Sequence, residues 1–200
     1  MNVITIFNSY FHTNTYIFEL NRKTYVIDPG NNISRVISIL NSKKIDYILL
    51  THGHMDHIYG VKELVNKYKC KVFASNNDLN YINGNYILDP DFDKNNYDFK
   101  YCDYSEFNNK DIEIINTPGH SKGSICIYIK SKNIIFSGDT LFRGSFGRTD
   151  LYEGDFEDLK KSISNLFLLD ENIIIYPGHG PKTTIKDEKL YNIIKFYKNL

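Results

Sequence analysis

The stretch THGHMDHIYG (51–60) decides how this chain is read, because it holds three of the six histidines in the sequence with an aspartate among them. In an extended segment alternate side chains share a face, which puts His52, His54 and Asp56 together. A helix beginning just afterwards swings His57 toward the same centre, and Gly53 leaves the backbone free to turn. Crowding titratable imidazoles beside a carboxylate is costly unless a cation or a catalytic task organises them. Two metal ions about 3.5–4 Å apart would draw on such a set of ligands from one short stretch.

The same grammar recurs along the chain. YILL (47–50) runs into His52, and IEIIN (112–116) runs into Thr117-Pro118-Gly119-His120. IIFS (134–137) runs into Gly138-Asp139-Thr140, and IIIY (173–176) into Pro177-Gly178-His179. Four strand-like runs thus end in Gly or Pro followed by His or Asp. Loops at the carboxyl ends of strands are where open sheets place ligand sites. His12 stands outside these motifs and reads as an ordinary histidine.

Two hundred residues make one ordinary domain, and the sequence holds no repeat and no linker that would split it. The chain carries 24 basic and 24 acidic side chains, so no basic field is available for nucleic acid. Cys70, Cys102 and Cys126 are scattered, which reads as reduced thiols rather than a disulfide frame. No apolar run approaches the roughly 20 residues of a membrane span, and the N-terminus lacks a signal-peptide pattern. A cytoplasmic location without nucleic-acid or membrane partners is the expectation; a homo-oligomer stays open.

Strands are expected at 2–7, 15–20, 24–28, 45–50, 70–74, 112–116, 124–129, 133–137 and 172–176. Helical spacing marks 33–42, 57–68, 155–169 and 187–200, the third opening with an acidic first turn. Consecutive strands among the helices suggest an α/β fold with helices layered on mixed sheets. The Asn- and Asp-rich stretch 76–111 reads as a surface excursion with solvated carboxylates.

These spaced motifs resemble the signature of the metallo-β-lactamase superfamily, and the likeness spans nearly the whole chain. The resemblance implies an αββα sandwich of two mixed β-sheets flanked by helices, with a metal site at one edge. It implies that His52, His54 and His120 hold a first metal. Asp56, His57 and His179 would hold a second, with Asp139 bridging. Asp28 in VIDPG matches a position near the first-metal histidines, where it would accept a hydrogen bond from a ligand imidazole and fix its tautomer. A His/carboxylate set with open positions suits two divalent ions, Zn first, with Fe or Mn compatible. A metal-bridging hydroxide would attack an ester, thioester or amide carbonyl, and Asp56 would orient the water.

GDTLFRGSFGRTDLYEGD (138–155) resembles glyoxalase II-like hydrolases, which split S-(2-hydroxyacyl)glutathione thioesters. It also resembles persulfide dioxygenases, which use a single iron. Arg143, Arg148 and Lys182 are the cations for gripping the carboxylates of a glutathione conjugate. GHGPKTT (178–184) looks like the shorter glyoxalase II-like branch and favours a hydrolase, a hydroxyacylglutathione hydrolase-like thioesterase, over an oxygenase. The helical C-terminal extension of glyoxalase II is expected to be missing, and a lactonase or other ester hydrolase stays open. Asp139 stands where di-zinc β-lactamases with this histidine motif use a cysteine.

Overall fold

The computed structural model describes residues 1–86 and 97–197. The chain divides into two compact units, Met1–Phe107 and Asn108–Leu200. The middle of the 76–111 excursion and the last residues of the expected 187–200 helix lie outside the described residues.

The first unit carries β1 (Val3–Phe7), β2 (Asn14–Leu20), β3 (Lys23–Ile27), α1 (Ile33–Leu40), β4 (Tyr47–Leu49), α2 (Met55–Ile58), α3 (Val61–Tyr68), β5 (Lys71–Ala74), α4 (Leu79–Ile82) and β6 (Cys102–Asp103). Its six-stranded sheet follows chain order. β1, β2 and β3 pair antiparallel, and β3 to β6 pair parallel. Parallel neighbours require crossovers, which α1 and the α2–α3 pair supply. One face of the sheet sends Ile17, Val26, Ile48 and Val72 into a core with Val36, Leu40, Ile58 and Leu64 of the helices. Each such side chain contributes about 1.5–3 kcal/mol on burial. The other face is aromatic: Phe18 stacks on Tyr25 at 5.0 Å, and Tyr25 on Tyr47 at 5.2 Å. Burial on both faces makes these strands read as nearly continuous apolar runs.

The second unit carries β7 (Ile112–Asn116), β8 (Ile125–Ile129), β9 (Ile134–Gly138), β10 (Leu141–Phe142), β11 (Ser145–Phe146), α5 (Phe156–Leu166), β12 (Ile174–Pro177), β13 (Thr183–Thr184) and α6 (Ile185–Tyr191). The sheet order is β13-β12-β9-β8-β7, and β10 with β11 forms a separate hairpin. Only β12 and β9 pair parallel in this sheet; its other ladders are antiparallel. Leu159, Ile163 and Leu166 of α5 pack with Cys126, Ile135 and Ile175 of the strands. The expected fold class, α/β with two mixed sheets and flanking helices, is the one observed.

Two helices depart from expectation. The 57–68 pattern forms two helices, because the N–H of Gly60 donates to the Pro29 carbonyl at 2.7 Å instead of continuing the helical ladder. The terminal helix stops at Tyr191, since Asn192 takes extended backbone angles and a 3₁₀ turn, Ile193–Phe196, follows. No described helix is long and apolar enough to cross a membrane.

Candidate functional site

In the first unit the extended backbone after β4 ends at His54, which caps α2 with φ −66° and ψ 146°. Asp56 therefore lies in the first turn of α2 and does not continue the extended alternation. His52, His54 and His57 are buried. The His52 ring centroid lies 4.6 Å from that of His54 and 4.2 Å from that of His57.

Asp28 organises two of these rings. Its Oδ2 accepts from His57 Nδ1 at 2.9 Å and from the Thr51 hydroxyl at 2.6 Å, while its Oδ1 accepts from the Thr51 N–H at 2.8 Å. The Thr51 hydroxyl has one proton, and Asp28 receives it. The same oxygen, 3.1 Å from His52 Nδ1, therefore accepts from that ring. One carboxylate thus fixes His57 directly and His52 through a threonine, leaving both rings with a lone pair on Nε2. Asp28, His52 and His57 each offer a ligand atom within 4.8 Å of the others. Asp28 was expected beside first-metal histidines; its direct partner is His57, which the resemblance gives to the second metal. Asp28 sits at φ 48°, a conformation aspartate tolerates better than most residues. Thr15 Oγ1 donates to its carbonyl at 2.8 Å and holds that turn.

A second layer escaped the sequence reading. Asp78, in the excursion whose carboxylates were expected to be solvated, is fully buried and accepts from the Gly53 N–H at 2.8 Å. Tyr81 packs edge-on against His54 at 4.5 Å. Tyr104 donates to the Leu50 carbonyl at 2.9 Å, and burial, aided by the charge of Asp28, pushes its hydroxyl well above the usual tyrosine value. The signal for Asp78 was slight: an acidic residue followed by the apolar Leu79, Tyr81 and Ile82.

In the second unit the candidate ligands come from three strand ends. The Thr117 and Thr140 hydroxyls, flanking the turns to His120 and Asp139, are 2.8 Å apart. Gly119, at φ 133°, passes so close to α5 that a Cβ would lie 2.1 Å from the Leu159 nitrogen. His120 Nδ1 lies 2.7 Å from the Arg148 carbonyl, which can only accept, so the proton is on Nδ1. His120 Nε2 then faces Asp139 Oδ2 at 3.5 Å, and His179 Nε2 faces the same oxygen at 3.3 Å.

These donors fit a metal. His57 and His120 each hold an Nδ1 proton on a fixed acceptor and turn Nε2 toward a carboxylate, Asp56 at 3.5 Å and Asp139 at 3.5 Å. A lone pair set against a carboxylate is repulsive, whereas a cation held by both converts it into a ligand pair. The imidazole and carboxylate chemistry is what Zn, Fe and Mn accept.

The three expected substrate cations are placed differently. The Arg148 guanidinium is exposed and forks onto Asp150, at 2.7 Å from Nε and 2.6 Å from Nη2. That pair lowers the Asp150 carboxyl to about 2. Arg143 and Lys182 share a surface hollow of about 280 Å³ with Thr183 and Asp187; no histidine lines it.

The sequence matches the metallo-beta-lactamase superfamily over residues 9–179. It is 33% identical to a probable metallo-hydrolase of Streptococcus pyogenes, over 96% of this chain and 89% of that protein. It is 32% identical to the hydroxyacylglutathione hydrolase GloC of Haemophilus influenzae, over 96% of this chain and 97% of that protein. The crystal structure of TTHA1623 in a di-iron-bound form superposes with a TM-score of 0.83 at 29% identity, covering 96% of this chain and 99% of that one. The chain belongs to the metallo-beta-lactamase superfamily.

Proposed function

We propose that this metallo-hydrolase cleaves thioesters of the S-(2-hydroxyacyl)glutathione class with two divalent metal ions. Support for the metals comes chiefly from the repeated arrangement in which a ring held at Nδ1 turns Nε2 onto a carboxylate, at His57 and at His120. Support for the substrate comes from the hydroxyacylglutathione hydrolase of Haemophilus influenzae and from the 138–155 motif. The di-iron relative favours a two-metal site.

By the family motif, His52, His54 and His120 would hold one ion and Asp56, His57 and His179 the other, and Asp139 would add its carboxylate to the set. Bound divalent metals would supply Lewis acidity and lower the pKa of water to about 7. The chain's own groups do the rest. Asp28 keeps the His57 proton on Nδ1, Thr51 does the same for His52, and the Arg148 carbonyl does so for His120. Asp56, partly open to solvent, orients the attacking water. Arg148 reaches a substrate carboxylate by exchanging its partner Asp150.

Elemental analysis of freshly purified protein, with S-D-lactoylglutathione hydrolysis assayed on the same sample, tests this reading. Two metals per chain with cleavage is the expected result. One iron per chain, no cleavage, and oxygen uptake with glutathione persulfide would replace it with the dioxygenase reading.

A further inference from the structure

We propose that Glu188 and Asn192 are positioning residues of the metal centre, acting through the segment 142–148; this rests on the reading of His120, Asp139 and His179 as ligands.

That segment touches all three residues. Phe142 in β10 meets the His179 ring edge-on, with centroids 5.8 Å apart. Gly147 runs so near Asp139 that a Cβ there would lie 1.9 Å from the Asp139 carbonyl oxygen and 3.0 Å from His120 Nδ1. The Arg148 carbonyl takes the His120 Nδ1 proton at 2.7 Å. A shift of this segment therefore changes the aim of each ring and the seat of the carboxylate together.

The hairpin that opens the segment has only two short strands, Leu141–Phe142 and Ser145–Phe146, and does not belong to the main sheet. Something else must fix it, and the end of α6 does. Glu188 is 1% exposed and its carboxylate is fully engaged. Oε1 accepts from the Thr183 hydroxyl at 2.6 Å, and Oε2 accepts from the Gly144 N–H at 2.8 Å and from Asn192 Nδ2 at 2.7 Å. Asn192 then spans the hairpin with its other Nδ2 proton, which the Ser145 carbonyl at 2.8 Å and the Phe142 carbonyl at 3.3 Å share. The Ile193 N–H adds a bond to the Gly144 carbonyl at 3.3 Å. This knot also explains why the terminal helix ends where it does: helical angles at Asn192 would give way to the extended backbone that closes it. Buried hydrogen-bonded carboxylates of this kind hold geometry, because leaving any donor unmet is costly.

Zn²⁺ affinity of the purified full chain, read at 25 °C by competition with a chromophoric chelator, tests the proposal without an activity assay. Glu188→Gln removes the charge and one of the two acceptor oxygens, and Asn192→Ala removes the bridge. Each is expected to weaken Zn²⁺ binding about tenfold, the lower end for groups that orient ligands, with circular dichroism unchanged. Ile163→Val, a core change in the same unit, is expected to lower the melting temperature while leaving the affinity at the wild-type value. If Glu188→Gln fails to fold, Asn192→Ala decides alone. Wild-type affinity in the folded variants, with His179→Ala weakened, overturns the proposal and leaves the metal reading standing. An equal loss in Ile163→Val overturns it as a mere stability effect. Wild-type affinity in His179→Ala as well removes the metal reading and the proposal with it.

Discussion

The two units solve the same task by different means. The first concentrates its candidate ligands in six residues and disciplines them with one carboxylate, Asp28, which reaches His57 directly and His52 through Thr51. The second gathers His120, Asp139 and His179 from three strand ends and disciplines them with neutral groups, a backbone carbonyl and an aromatic edge. A charge carried by a side chain can be removed by one substitution; a carbonyl cannot. The first unit is therefore the more fragile to point mutation at its ligand-orienting groups, and the second to anything that moves a loop.

That contrast can be broken in graded steps. His54→Ala should abolish thioester turnover and lower metal content while circular dichroism is unchanged; full activity would remove the metal-hydrolase reading. Asp28→Ala should weaken metal binding about 10–100-fold, measured by chelator competition. Asp28→Asn should lose nearly as much, since an amide has one acceptor oxygen and sets its N–H₂ against either the Thr51 N–H or the His57 ring. Asp78→Ala leaves the Gly53 N–H buried and unmet, at a cost of about 1–3 kcal/mol in chemical denaturation. Arg148→Ala should leave metal affinity unchanged, because the backbone carbonyl that holds His120 survives. It should raise the Michaelis constant for a glutathione thioester more than it lowers turnover; an unchanged constant would take its side chain out of substrate binding.

The interior of the second unit carries a pH signature of its own. Cys126, fully buried near Thr117, has its thiol pushed up to about 11 by burial. The folded pKa lies above the ordinary thiol value of about 9, so this contribution to stability is intact below about pH 9 and is lost as pH rises toward 11. The loss is about 2–3 kcal/mol at most, and Cys126→Ala should flatten denaturation midpoints across that window relative to wild type.

Much of this was legible in the sequence, for identifiable reasons. Strands buried on both faces, such as β4 and β9, write continuous apolar runs, and ligands placed just after such runs stand out. Contiguity made His52, His54, Asp56 and His57 visible, and the repeated strand-end pattern exposed His120, Asp139 and His179. What stayed hidden depends on who meets whom across long separations. Asp78 reads like any acidic loop residue until its carboxylate is seen on Gly53, 25 positions away. Asn192 reads as mid-helix until its amide is seen bridging Phe142 and Ser145. The split of the 57–68 helix follows from Pro29, whose carbonyl takes the Gly60 N–H, and no local pattern announces it.

Native mass spectrometry of wild type, His57→Ala and His179→Ala after identical Zn²⁺ loading asks whether each unit supplies metal ligands. Two ions are expected in wild type and fewer than two in each variant, with folded charge-state distributions throughout. Two ions retained in either variant, or none in wild type, would contradict this expectation.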